Sequence, residues 1–189
     1  MNRFAIEETP RQCAISHCDK HIVKMPLEEA QMLCTAHRVL DGTPEKRPSK
    51  SGKTMVNYHR LDDQRDSILY NAVHQSHPCT KWVMESSENY RWAYSLFMEL
   101  CREYTHRYGK VHMCEQKLWM ALGNLPKNIP EGPMTPMPLA MGSNPECINH
   151  DDVMGSYRHY YATKKERFKM VWTNRTQPTW WNEYAELVG

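Results

Sequence analysis

No run of apolar residues in this sequence approaches the roughly 18–20 that a helix needs to cross a bilayer, so no membrane-spanning helix is expected. The opening residues, Met1 to Glu8, hold no long apolar core and turn acidic early, so no ordinary secretory signal is expected there. No CxxC pair occurs among the seven cysteines, which argues against a zinc ribbon or a thioredoxin-type motif. Their number is odd and their spacing irregular. They read as reduced thiols packed as small hydrophobes in a cytoplasmic protein. A large excess of either charge is also missing: the formal net charge is +2, too small to demand a polyanionic partner. Ser51-Gly52-Lys53-Thr54 is not a phosphate loop, because the glycine required five positions before Gly52 is replaced by Arg47.

What is present is ordinary globular material. Hydrophobic residues make up 40% and charged residues 24%, and 189 residues suit one domain better than two. The expected fold class is all-α: a compact single-domain helical bundle over residues 1–189, with long irregular loops. Apolar residues recur at Ile15, Cys18, Ile22 and Met25, then at Leu33, Ala36 and Leu40, which predicts helix over 11–40 with Asp41-Gly42 as the stop. Pro26 should kink that helix or open a second one. Residues 43–57 are polar and rich in breakers and read as a mobile loop. A short helix is expected over 60–75, a clear one from Asn89 to His106 ended by Gly109, and another over 113–124. The proline-rich stretch 126–149 should pack over the surface or cover a site. Asp151 or Asp152 should cap a basic helix running to about residue 171, and the tail around Trp180-Trp181 reads as a docking turn.

The chemistry-bearing candidates begin with His17, His21, Lys24 and Glu28. Their spacing of i, i+4, i+7 and i+11 places them on one helix face. A solvated face explains such a stripe most cheaply. Two features favour chemistry: the flanking faces are apolar, and two imidazoles, an amine and a carboxylate together suit proton transfer or an amine nucleophile. His17 and His21 also have the spacing that lets two imidazoles share zinc; otherwise no cofactor is expected. His77-Pro78-Cys79 and Arg107-Tyr108-Gly109-Lys110-Val111-His112 form two further clusters suited to phosphate contact or, equally, to capping and local packing. Residues 158–175 carry Arg158, Lys164, Lys165, Arg167, Lys169 and Arg175 against one acid, Glu166, with Tyr160, Tyr161, Phe168 and Trp172 interleaved and Tyr157 just before them. Cations beside stacking rings form a pattern that suits nucleic acid.

Met1-Asn2-Arg3 at the start, Asp19-Lys20-His21 followed by Glu28, the 89–109 helix ending in Arg-Tyr-Gly, and Gln177-Pro178-Thr179-Trp180-Trp181 near the end stand in a familiar order. Together they cover about a third of the chain. In these pieces the sequence resembles the phage pyrimidine-dimer DNA glycosylases of the endonuclease V type and their bacterial relatives. The resemblance implies an all-helical intracellular enzyme that flips a nucleotide, attacks the sugar with an N-terminal amine assisted by a glutamate, forms an imine and nicks the strand. It would make Glu28 the catalytic acid, Arg3 a phosphate contact and His21 a site residue. This sequence departs from the family pattern in three ways. Asn2 is too large for ready loss of the initiator methionine, Leu27 and Gln31 replace the family's arginines around the glutamate, and the segments 43–57 and 126–149 are additional.

The leading expectation is therefore a DNA-acting enzyme of the cytoplasm, or of the host cytoplasm for a viral chain. Its catalytic set would be Glu28, His21, His17 and either Lys24 or the Met1 amine. Arg3, His77, Arg107, Lys110, His112, Arg158 and Lys165 would contact DNA, and no membrane is involved. Two alternatives stand beside it. One is a viral transferase that adds an amino acid or amine to thymine on the same scaffold. The other is a non-enzymatic protein that binds zinc or a partner.

Overall fold

The computed structural model describes residues 2–49 and 51–188. The chain is mostly helical, with a small two-stranded sheet. Its helices are α1 (Pro10–Ser16), α2 (Asp19–Asp41), α3 (Arg65–Ile68), α4 (Pro78–Glu85), α5 (Ser87–Tyr108), α6 (Met113–Leu122), α7 (Val153–Ala162) and α8 (Trp181–Leu187). Two single 3₁₀ turns, Pro145–Cys147 and Thr163–Glu166, complete them. No helix among the described residues is long and apolar enough to cross a membrane.

Helices α2 and α5 form the centre. Ala30, Leu33, Cys34 and Ala36 of α2 meet Tyr90, Ala93, Phe97 and Cys101 of α5 in one buried cluster, together with Leu118 and Leu122 of α6. A second cluster joins Ile22 and Met25 of α2 to Phe4, Ile6, Tyr157, Tyr161, Trp180 and Trp181. The two adjacent tryptophans are thus buried, as expected of a docking tail. Trp180 Nε1 donates to Glu7 and Trp172 Nε1 to the Ser16 carbonyl. All seven cysteines are unpaired and buried.

Helix boundaries follow local chemistry. Ser86 caps α5 through Asn89 N–H, and Asp152 caps α7 through Gly155 N–H. Gly109 ends α5 in the left-handed conformation, φ 64°, where glycine carries no Cβ penalty. Helix α2 runs through Pro26 without a break. The interruption falls instead at His17-Cys18, where Tyr161 Oη accepts from Cys18 N–H and the Val171 carbonyl accepts from Asp19 N–H. A mid-helix proline costs about 3 kcal/mol; burial of the α2 faces on both core clusters outweighs it.

Four expectations are corrected. The fold is not all-α, and the segment expected as a mobile loop is a hairpin. Strand β1 (Thr43–Pro48) pairs antiparallel with β2 (Met55–Arg60), Thr43 opposite Arg60, and Gly52 supplies the positive φ at its tip. Non-local contacts that the sequence pattern does not carry hold it in place. The Arg38 guanidinium donates to the His59 carbonyl and to Asp66, and lies 4.8 Å over the Tyr58 ring. The basic helix expected to about residue 171 ends at Ala162 and passes into the 3₁₀ turn. The expected helix over 60–75 shrinks to α3.

Candidate functional site

Helix α2 carries His21, Lys24 and Glu28 along one face into a cleft of about 420 Å³, within the ~300–1,000 Å³ span of small-molecule sites. Asn2 and Phe4 of the N-terminal segment form one wall, and Tyr160, Lys164, Arg167 and Phe168 form the other. Lys20 also reaches the cleft, so it faces four side-chain cations and one carboxylate.

Glu28 is the fixed point. Its Oε2 accepts the Asn2 backbone N–H at 2.6 Å and its Oε1 pairs with Lys24 Nζ at 2.7 Å. The next carboxylate along the helix has a different fate. Glu29 takes Arg3 in a two-pronged ion pair, Nε to Oε1 at 2.9 Å and Nη2 to Oε2 at 2.6 Å, sealed from solvent on both sides. The Arg3 guanidinium also lies 4.9 Å from the Trp82 ring centroid and 5.5 Å from that of Trp92. Burial disfavours its charge, but the charge and hydrogen bonds of Glu29 outweigh that and raise its pKa. Arg3 is thus an internal anchor of the N-terminal segment. A phosphate has no route to it.

His21 lines the cleft as a neutral ring. Burial, then the charges of His17, Lys24 and Lys164, push its pKa down to about 2. It stacks on Phe4 at 4.9 Å and meets Phe168 edge-on at 5.4 Å. Its role is that of a ring in the wall. His17 does not join the stripe, because it terminates α1 instead of lying on α2. It is fully buried, donates through Nδ1 to the Cys13 carbonyl, and burial lowers its pKa to about 4. Its Nε2 has no partner among the described residues. The His17 and His21 rings stand 6.1 Å apart, edge to face, and no group of three or more metal-ligating side chains occurs among the described residues. Met1 lies outside the described residues.

Most of the expected phosphate contacts are engaged in holding the fold. His77 and His112 are matching caps: each Nδ1 accepts the N–H two residues on, from Cys79 for α4 and from Cys114 for α6. Burial lowers the His77 pKa, while Glu28 acts on it in the opposite sense. Arg107 is buried on Glu103, Asp19 and the Ile15 carbonyl. Arg158 holds the Ile6 carbonyl and Glu7, and Lys165 donates to the Ala185 carbonyl at 2.6 Å. Lys110 is exposed and borders a second, more apolar cavity of about 690 Å³ on the other side of Lys24, with Leu27, Tyr70 and Met113. A larger cavity, about 920 Å³, is elsewhere, and its histidine is committed: His37 sits between Tyr90 Oη and Arg65.

The cleft also holds residues outside the expected site set: Lys20, Lys164 and Arg167, with the rings of Phe4, Tyr160 and Phe168. Lys164 is 7% exposed, its Nζ sits 3.5 Å over the Tyr160 ring, and among the described residues no carboxylate forms an ion pair with it. Burial first, then the nearby Arg167, lowers its pKa to about 8. The basic stretch 158–175 contained the signal, but its register was hidden by the change from α-helix to 3₁₀ turn at Ala162.

No family model, curated protein or solved structure matches this chain.

Proposed function

We propose that the chain is a DNA-acting enzyme whose cleft receives a nucleotide turned out of the duplex, with Glu28 as the acid–base group. The observation that carries this reading is a single anchored carboxylate in a cationic cleft walled by aromatic rings. Cations at the rim neutralise backbone phosphates, and Phe4, Tyr160 and Phe168 offer faces and edges on which a base can stack. Glu28, held by Asn2 and Lys24, is placed to move a proton at the sugar or the base. The sequence resemblance points the same way, since the family's N-terminal segment also works beside its glutamate. Arg3 locked on Glu29 fixes that segment over the cleft here.

The test uses three duplexes: ultraviolet-irradiated, undamaged, and carrying modified thymine. Products are read on a denaturing gel and by nucleoside mass. Base release or nicking identifies a glycosylase or lyase, and a mass change without cleavage identifies a transferase. Either must be lost in Glu28→Gln. No change in any duplex overturns the reading in favour of a binding protein.

A further inference from the structure

We propose that Lys164 is the amine nucleophile of this cleft, forming an imine with an aldehyde that carries phosphate. This rests on the reading of the cleft as a DNA-acting site, where a baseless deoxyribose presents an aldehyde carbon flanked by phosphates. The amines of the cleft differ in their surroundings. Lys24 is 65% exposed at its side chain and paired with Glu28 at 2.7 Å, which ties up its proton. Lys164 sits in the opposite wall on the 3₁₀ turn, buried, over the Tyr160 ring, and among the described residues its Nζ donates only to Thr163 Oγ1, at 3.2 Å. Four charged or titratable groups act on it: Arg167 and Glu166 from its own turn, Cys147 from the preceding 3₁₀ turn, and Lys24 from α2. Two cations and desolvation favour the neutral amine, the form that attacks a carbonyl.

The step balances without a co-reactant. The Nζ lone pair adds to the aldehyde carbon, and the carbonyl oxygen takes up protons and leaves as water. The imine C=N bond replaces C=O. Glu28, in the same cleft, is the group available to carry the proton to the departing oxygen. Lys20 and Arg167 at the rim receive the phosphate.

Two probes test it: a duplex with one abasic site, and free 2-deoxyribose 5-phosphate. Each is trapped with cyanoborohydride, which reduces the imine to a stable secondary amine, and the adduct is located by peptide mass mapping of the unaltered protein. The expected adduct lies on Lys164. It disappears in Lys164→Arg, checked for native circular dichroism, and persists in Lys165→Ala, whose amine is held by the Ala185 carbonyl. Because mapping is done on the unaltered chain, a variant that fails to fold does not remove the test. An adduct on Lys20, Lys24 or the N-terminal amine overturns the assignment and leaves the DNA-acting reading intact. No adduct, in a protein that still alters DNA in a Glu28-dependent way, also overturns only the assignment. No adduct and no alteration of DNA overturn both.

Discussion

The backbone N–H of Asn2 donates to Oε2 of Glu28 at 2.6 Å, and one residue further along both segments Arg3 is forked on Glu29. Two adjacent carboxylates of α2 therefore grip two adjacent residues of the N-terminal segment, with opposite consequences. Glu29 is sealed in the core. Glu28 keeps one edge toward the cleft. Glu28→Gln should preserve the fold, since the amide oxygen still accepts from Asn2 and only a rim ion pair with the exposed Lys24 is lost. Such a pair is worth roughly 0–1 kcal/mol. Turnover should fall about 10²–10⁴-fold if Glu28 moves the proton. Comparing thermal melts with initial rates on the responsive duplex checks both halves. An unchanged rate would remove Glu28 from the chemistry.

Arg3 gives the reverse pattern. Removing one partner of a sealed ion pair leaves an uncompensated charge and typically costs 3–5 kcal/mol. Arg3→Met should therefore lower the urea midpoint by an amount corresponding to about 3 kcal/mol or more. The double variant Arg3→Met, Glu29→Met should recover much of that loss. Equal stability of the two variants would show that the pair is not what anchors the N-terminal segment.

How far the sequence could be read is clear from particular residues. Helical periodicity located α5, and stop and cap residues located Gly109 and a cap at Asp151 or Asp152, of which Asp152 is the one used, because these are local devices. It also placed His21, Lys24 and Glu28 on a common face. It failed at His17, since the break between α1 and α2 is stabilised by Tyr161 and Val171, more than 140 residues away in sequence. The hairpin was lost for the same reason: its strands show no clean alternation, and Arg38 supplies the contacts that hold it. Arg3, Arg107 and Arg158 looked like phosphate ligands because a sequence shows charges but not which of them carboxylates and carbonyls already occupy. Lys164 and Lys165 look alike in the sequence, because the tightening of the backbone after Ala162, which turns Lys164 into the cleft, leaves no local signal.

Acid should destabilise the protein well above the range in which carboxylates titrate. Burial first lowers the pKa of His17 to about 4, of His21 to about 2 and of His37 to about 4. The unfolded chain takes up protons at these rings near the ordinary value of about 6.5, whereas the folded chain does not. Stability is therefore full above pH ~6.5 and is lost as pH falls toward 4, by on the order of 3 kcal/mol for His17 alone at pH 4. Urea midpoints measured between these limits should fall steadily. His17→Gln keeps a donor for the Cys13 carbonyl and should reduce the slope by nearly one proton. A flat profile over this window would mean that the imidazoles are charged in the folded protein.

The ionisation of Lys164 can be measured without a substrate. Acylation of an amine requires its neutral form, so the pH dependence of labelling at the Lys164 peptide reports its pKa directly. With the pKa lowered to about 8, half-maximal reactivity should fall near pH 8, against about 10.4 for an unperturbed lysine. Burial is the first cause and the Arg167 charge the second, so Arg167→Gln should move the curve to higher pH by relieving a repulsion. Glu166 acts in the opposite sense, and Glu166→Gln should move it lower. The same shift carries a sign for stability. Between pH ~8 and ~10.4 the folded chain has released a proton that the unfolded chain still holds, so the cost of burying the ammonium disappears and stability should rise across that window. Opposite movements of the labelling curve in the two variants would show that the electrostatics of the cleft set the reactivity of this amine. Movement in neither would leave burial as its sole cause.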